Sequence, residues 1–171
     1  MSFTDVIASI LEQRADFKLA AGVTSGQSCD DVPPSLATIY ACADGTLQNT
    51  EFQAAVDVVP GFRLIHRKEL KAEIALFHKT YSGIDRFIPF LADDSSCYIA
   101  LNGVDGSVVR VAQEYGVSQV SASLDDFWKT VLACYQEGVY FLDDEGFLDY
   151  DFEGEGEIGL RINPECRYWS E

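Results

Sequence analysis

The sequence predicts a single α+β domain over residues 1–171, in which a mostly antiparallel sheet packs with about four helices. Three observations support this fold class. The length of 171 residues and the hydrophobic fraction of 47% are enough for one domain with its own core. Several segments place apolar residues at helical spacing. Short strand-like runs follow one another through tight turns in the middle of the chain, which is typical of antiparallel hairpins.

Two helices are predicted in the first quarter of the chain. Apolar residues at helical spacing indicate the first over residues 4–17. Residues 22–32 are rich in Gly and Ser and predict a loop. The second helix is predicted within PPSLATIYACADG, because Pro34 suits a first helical turn and Gly45 suits a helix end.

The middle of the chain predicts a strand, a helix and then three strands. FRLIH (Phe62–His66) has strand character, and KELKAEIALFHKTY (Lys68–Tyr81) has helical spacing. RFIPFLA and SCYIALN predict two strands around the turn Asp93–Ser96, and SVVRVA (Ser107–Ala112) predicts a third. Consecutive strands joined by turns favour antiparallel pairing.

The strongest helical pattern is SLDDFWKTVLACYQEG. Ser123 is predicted to cap it, Asp125 and Asp126 suit the positive end of the helix dipole, and Gly138 ends it. The chain then returns to strand-like alternation in VYFLDDEGFLDYDFEG. A strand there would present one apolar and one acidic face. The apolar face would hold Leu148, Tyr150 and Phe152, and the acidic face Asp149, Asp151 and Glu153.

Negative charge is concentrated near the C-terminal end. The formal net charge is −16, and residues 130–171 hold 11 of the 28 acids but only two bases. Such a field disfavours nucleic acid and anionic lipid as partners and favours a basic protein partner, although solubility alone could also account for it. Eight carboxylates without an intervening base are the candidate partner-binding residues: Asp143, Asp144, Glu145, Asp149, Asp151, Glu153, Glu155 and Glu157.

A calcium-loop pattern begins in the same segment. Asp149, Asp151, Glu153 and Gly154 match positions 1, 3, 5 and 6 of an EF-hand loop. Position 12, which must be a bidentate carboxylate, is Leu160. The sequence therefore predicts no metal site here.

A dinucleotide-binding pattern overlaps it as Gly154-x-Gly156-x-x-Gly159. This fingerprint needs an acidic residue about 20 positions later, but twelve residues remain. Three glutamates among the glycines would also repel a pyrophosphate. The sequence predicts no nucleotide cofactor.

Catalytic signals are weak. His66 and His78 lie twelve residues apart, without metal-ligand spacing, and no phosphate-binding loop motif is present. A pair of carboxylates could serve a hydrolase, which stays as a remote alternative. We therefore expect a protein that is not an enzyme and has no catalytic residues.

Cysteine spacing and hydropathy indicate the compartment. The five cysteines are scattered and contain no C-x-x-C pair, which is typical of reduced thiols in the cytosol. No apolar run approaches the length of a membrane span, and the first residues do not resemble a secretory signal. A cytoplasmic location without membrane attachment is expected.

Four segments of the chain carry a resemblance to a known family: PPSLATIYACADG, FRLIHRKELKAEI, RFIPFLADDSSCYIAL and SASLDDFWKTVLACY. Together they resemble the SUKH superfamily, which includes a fungal cell-wall-assembly regulator and many bacterial immunity proteins. The resemblance covers roughly residues 30–150. Asp44 stands where the family usually has Asn, and DDSSCY departs from its usual acidic turn.

The resemblance implies a non-enzymatic α+β domain that works by binding another protein. Many bacterial members neutralise a toxin, often one that acts on nucleic acid, and such toxins tend to be basic. The first hypothesis is therefore an immunity protein that uses its acidic surface to capture a cognate toxin. The alternative is a scaffold or regulatory module without a toxin partner, as in the fungal branch.

Overall fold

The computed structural model describes residues 3–13, 20–21, 32–46 and 56–170, which contain five α-helices, ten strands and two short 3-10 helices. The α-helices are α1 (Phe3–Gln13), α2 (Ala37–Cys42), α3 (Arg67–Thr80), α4 (Leu124–Gln136) and α5 (Phe152–Ile162). The strands are β1 (Ala20–Ala21), β2 (Ala43–Gly45), β3 (Asp57–Val59), β4 (Phe62–Leu64), β5 (Phe87–Ala92), β6 (Cys97–Asn102), β7 (Val108–Ala112), β8 (Gly116–Ser121), β9 (Tyr140–Leu142) and β10 (Leu148–Tyr150). The 3-10 helices are Pro34–Leu36 and Arg167–Ser170.

Six strands form one antiparallel sheet in the order β3-β4-β5-β6-β7-β8. Each strand pairs with its neighbour in the sequence, so no crossover connection is needed. Two small antiparallel pairs, β1-β2 and β9-β10, lie outside this sheet. The prediction of an α+β fold with a mostly antiparallel sheet is confirmed.

The core lies between this sheet and helix α4. Phe127 and Trp128 of α4 pack against Phe90 of β5, with ring centroids 5.8 and 6.2 Å apart. Burying aromatic side chains of this size supplies a large share of the hydrophobic stabilisation. Helix α1 adds Val6 and Ile10 to the same cluster, and helices α1 and α5 both pack on α4.

The predicted helices are present with shifted ends. The Ser123 cap is confirmed, since its hydroxyl accepts a hydrogen bond from the backbone N–H of Asp126 at 3.1 Å. Helix α2 ends at Cys42, before Gly45. Residues 14–17 of the first predicted helix and 22–31 of the predicted loop lie outside the described residues.

Gly45 is the last residue of strand β2. The prediction that it ends a helix is wrong. Its φ is +79°, and a Cβ atom there would stand 2.4 Å from the carbonyl oxygen of Ile65. Glycine is therefore required by a close backbone approach. The adjacent Thr46 forms a parallel bridge with Ile65.

Strand β8, helix α5 and the short strands β1, β2 and β3 were not predicted from the sequence. Strand β8 forms the edge of the large sheet beyond β7. The acidic segment expected to continue as a strand through Glu153 instead forms β10 and then α5, which begins at Phe152. The prediction that Tyr150 and Phe152 would share a buried face with Leu148 is wrong, because only Leu148 is buried.

Helix α3 begins at a histidine cap that should make stability depend on pH. The Nδ1 atom of buried His66 accepts a hydrogen bond from the backbone N–H of Lys68 at 3.1 Å. Burial lowers the pKa of His66, partly opposed by Asp44 and Glu69. As the pH falls below about 6.5, the His66 imidazole becomes protonated in the unfolded chain before it does so in the folded protein. The free energy of unfolding should therefore decrease as the pH drops.

We expect His66→Asn to lose much of this pH dependence, because asparagine also caps helices but does not titrate between pH 5 and 8. The free energy of unfolding from urea titrations at pH 7.5 and 5.5 should fall by about 1 kcal/mol more for the wild type than for the variant. Equal changes in both proteins would contradict the role of this cap. His78 is present in both proteins and cancels in the comparison.

Candidate functional site

Three of the eight candidate acids lie at the tip of the β9-β10 hairpin. Asp143 has a structural role, because its carboxylate accepts backbone hydrogen bonds from Glu145 at 2.9 Å and from Phe147 at 2.8 Å. These contacts close the turn and leave the side chains of Asp144 and Glu145 exposed. The tip therefore displays negative charge on a fixed backbone.

Two further acids lie where the hairpin meets helix α5. Asp149 is exposed on β10 and accepts a hydrogen bond from the Tyr150 N–H at 2.8 Å. Asp151 caps α5, since its side chain accepts from the backbone N–H of Glu153 at 3.1 Å. A carboxylate at this position also suits the positive end of the helix dipole. These residues do not form the single acidic strand face predicted from the alternation.

The last three acids lie on α5 and point in two directions. Glu153 and Glu157 are one helical turn apart and exposed. Glu155 is half-buried and accepts a hydrogen bond from the hydroxyl of buried Tyr140 at 2.5 Å. Burial raises the pKa of Glu155, although the Tyr140 hydrogen bond and the charge of Arg110 act in the opposite direction. The alternation did not predict this inward orientation.

Large apolar side chains are exposed among these acids. Phe152, the first residue of α5, is 71% exposed, and Tyr115, just before β8, is 75% exposed. Aromatic side chains at this exposure are typical of protein-binding sites, where they serve as anchors. The other exposed apolar residues of this region are Phe141, Leu142, Phe147, Tyr150 and Leu160.

A groove of about 880 Å³ runs beside α5, and we name it the α5 groove. One wall is α5 itself, and the opposite wall comes from β7, the start of β8 and the C-terminal 3-10 helix. Three carboxylates and one guanidinium line it, so its charge is net negative. Its lining residues are Arg110, Tyr115, Ser118, Phe152, Glu153, Glu155, Gly156, Glu157, Leu160, Tyr168, Trp169 and Ser170.

A cavity of about 160 Å³ adjoins the groove and reaches toward the core. The groove and the cavity share Arg110, Phe152, Glu155, Tyr168 and Trp169. Phe127, Tyr140 and Tyr150 add further aromatic walls to the cavity. The inward-facing carboxylate therefore stands at the junction between an open acidic groove and an aromatic cavity.

Trp169 fixes the far wall of the groove. Its indole N–H donates a hydrogen bond to the carbonyl oxygen of Val120 at 2.8 Å, which ties the C-terminal 3-10 helix to strand β8. The indole lies against Gly159, where a Cβ atom would stand 2.1 Å from the ring. The third glycine of the dinucleotide-like pattern therefore allows close helix–indole packing.

The C-terminal end of α5 is held by a buried polar network. The Asn163 amide donates to the hydroxyl of Thr130 on α4 at 2.9 Å, and its carbonyl oxygen accepts from the hydroxyl of Ser121 on β8 at 2.7 Å. All three residues are buried, so these hydrogen bonds are weakly exposed to competition from water. They fix the end of α5 relative to helix α4 and strand β8.

Metal sites and membrane-spanning helices were also considered among the described residues. Within residues 3–13, 20–21, 32–46 and 56–170, no group of three or more His, Cys, Asp or Glu side chains is placed to hold a metal ion. No helix among the described residues is long and apolar enough to cross a membrane.

Comparisons with known proteins do not assign a family. The chain matches no protein-family model and no curated protein sequence.

Proposed function

We propose that this chain is a non-enzymatic binding protein that captures a basic protein partner through the α5 groove and the neighbouring acidic hairpin. The observation that carries the proposal is the exposure of Phe152 and Tyr115 within a carboxylate-lined groove. Exposed aromatics supply apolar contact area, while the surrounding acids select a positively charged surface.

The electrostatic argument excludes two partner classes from this proposal. Phosphates of nucleic acid and headgroups of anionic lipid would be repelled by the acids of the segment 143–157. A basic protein would be attracted over a distance of about 8 Å at physiological salt. The resemblance to SUKH immunity proteins favours a nucleic-acid-targeting toxin as this partner, with the chain acting in the cytoplasm.

The proposal predicts that reversing exposed acids at the site slows association. We expect Asp144→Lys combined with Glu153→Lys to reduce the association rate constant about tenfold at low salt and to weaken its dependence on salt. Neither side chain caps a helix or closes the hairpin turn, so the fold should be retained. Asp151 is unsuitable for this test, because it caps α5.

The partner is first isolated with the wild-type chain as bait and identified by mass spectrometry, and association is then measured by stopped-flow or surface plasmon resonance. The matched control reverses two exposed acids elsewhere, Glu12→Lys with Asp85→Lys, and changes the net charge equally. Equal association rates for the two double variants would contradict the proposed surface. Rescue of a host from the partner's toxicity by this chain would favour an immunity role over a scaffold role.

A further inference from the structure

We propose that the cavity beside the α5 groove receives one arginine side chain of the partner, held by the Glu155 carboxylate and the surrounding aromatic rings. This inference rests on the proposed function and specifies how the basic partner is anchored. The argument depends on the position of Glu155, the role of Arg110 and the aromatic lining.

The carboxylate of Glu155 is half-buried in the wall of the cavity and has no positively charged group in direct contact among the described residues. Among the described residues its carboxylate forms no ion pair within 4.0 Å, and the contact at hydrogen-bond distance is the neutral Tyr140 hydroxyl at 2.5 Å. Keeping a carboxylate in a half-buried aromatic site costs folding stability, which agrees with the raised pKa of this group. An incoming cation would offset that cost.

Arg110 also lines the cavity, so an anionic ligand has to be considered. The Arg110 Nε–H donates to the Cys97 Sγ at 3.1 Å, and the guanidinium lies 5.9 Å from the Tyr168 ring centroid. These contacts occupy part of its donor capacity on the wall of the cavity. An anion would moreover have to pass Glu153 and Glu157 in the groove, whereas a cation is attracted by them.

The lining favours guanidinium over ammonium. Guanidinium is planar, is more weakly hydrated than ammonium and stacks on aromatic faces. Arg110 against Tyr168 shows that these walls accept such a group. The carboxylate of Glu155 retains acceptor capacity beyond the Tyr140 hydrogen bond, so it can receive N–H donors from an arginine.

The experiment uses N-acetyl-arginine N-methylamide as the probe and its citrulline counterpart as a neutral match. Binding to the full chain is followed by the indole N–H resonance of Trp169, which lines the cavity. Trp128, buried in the core, is the internal reference. We expect saturable shifts at Trp169 with the arginine probe and at least about tenfold weaker binding of the citrulline probe.

Two variants with opposite expected effects test whether the cavity binds the positive charge of the probe. Glu155→Gln keeps an acceptor for Tyr140 and should weaken arginine-probe binding at least about tenfold. Arg110→Gln removes a like charge and should strengthen it several-fold. The matched control Glu12→Gln, at an exposed position that lines neither the groove nor the cavity, should change it less than about twofold.

A stability measurement separates binding from a structural role. The pKa of Glu155 is higher in the folded state than in the unfolded chain. The free energy of unfolding therefore decreases as the pH rises above the unfolded-state pKa and Glu155 ionises. Glu155→Gln should therefore leave the melting temperature at pH 7 equal or higher. A lower melting temperature with unchanged probe affinity would overturn the proposal in favour of a structural role.

The other outcomes are equally decisive. Unchanged or tighter binding of the arginine probe by Glu155→Gln would contradict a cation site at this carboxylate, and equal shifts at both tryptophans would show nonspecific binding. Either result overturns the proposal that the cavity binds an arginine side chain. A third outcome is that the arginine probe fails to bind while the Asp144 and Glu153 reversal still slows association with the partner. That result would contradict the arginine site in the cavity and leave the proposed acidic partner surface supported. If the probe binds but the reversal has no effect, the proposed partner surface fails.

Discussion

Replacing Arg63 by methionine should lower the free energy of unfolding by about 3 kcal/mol or more. Arg63 is 2% exposed, although it carries a full charge. Its guanidinium binds Asp94 through two hydrogen bonds of 2.6 and 2.8 Å and donates to the carbonyl oxygen of Thr46 at 2.6 Å. A second acid, Glu69, lies 3.2 Å away. Removing Arg63 would leave these acceptors without their common donor.

The same arginine holds a turn in an unfavourable conformation. Asp94 has a φ of +57°, which is rare for a residue other than glycine. Its neighbour Asp93 closes the turn by accepting backbone hydrogen bonds from Ser95, Ser96 and Cys97. Loss of the Arg63–Asp94 pair should therefore also loosen the β5-β6 turn.

Urea titration at pH 7 measures this effect. Arg63→Lys should be intermediate, because lysine keeps the charge but cannot form the two parallel hydrogen bonds. Arg161→Met is the control, since Arg161 and Glu137 form an exposed ion pair and its loss should change stability little. Equal midpoints for Arg63→Met and the wild type would contradict a stabilising role of this network.

Replacing Gly159 by alanine should destabilise the protein by about 2 kcal/mol. Helix propensity alone predicts the opposite sign, because alanine inside a helix is favoured over glycine by about 1 kcal/mol. The opposing term is steric, since the new Cβ atom would stand 2.1 Å from the Trp169 ring. The indole would have to move, and its hydrogen bond to Val120 would be lost. The groove wall formed by Trp169 would be displaced as well.

A nearby glycine provides a matched control for this prediction. At Gly156 the nearest atom to an added Cβ would be the Trp169 carbonyl oxygen at 3.4 Å, so Gly156→Ala should be neutral or stabilising by up to about 1 kcal/mol. Gly159→Ala in a Trp169→Ala background should lose its penalty, because the clashing ring is absent. A stabilising Gly159→Ala in the wild-type background would refute close packing at this position. Thermal unfolding and tryptophan fluorescence report both quantities.

Local signals were sufficient for the elements whose ends are specified by the chain itself. The cap at Ser123 and the helix that follows it were predicted, and both are present. The runs that became β5, β6 and β7 were also predicted, because antiparallel neighbours joined by short turns require only local chain reversal. Strand β8 was not predicted. Four of its six residues are at least partly solvent-exposed, so its apolar pattern is weak.

The candidate site was predicted only in part. Its acidic composition was evident in the sequence, but the alternation from Leu148 to Glu153 indicated one strand, whereas Asp151 caps a helix. The aromatic residues that line the groove from outside this segment, Tyr115 and Trp169, were not connected with it by the sequence. Their proximity depends on strand β8 and the C-terminal 3-10 helix meeting α5 across the groove.

The sequence by itself determined the α+β class, the antiparallel order of the central strands and the concentration of negative charge near the C-terminal end. Only the tertiary structure decided that the glycine-rich acidic segment is helical, that Glu155 turns inward and that a groove lies beside it. The physical reason is that helix propensity and periodicity reflect neighbours along the chain. The Gly159–Trp169 packing and the Tyr140–Glu155 hydrogen bond join residues on different elements.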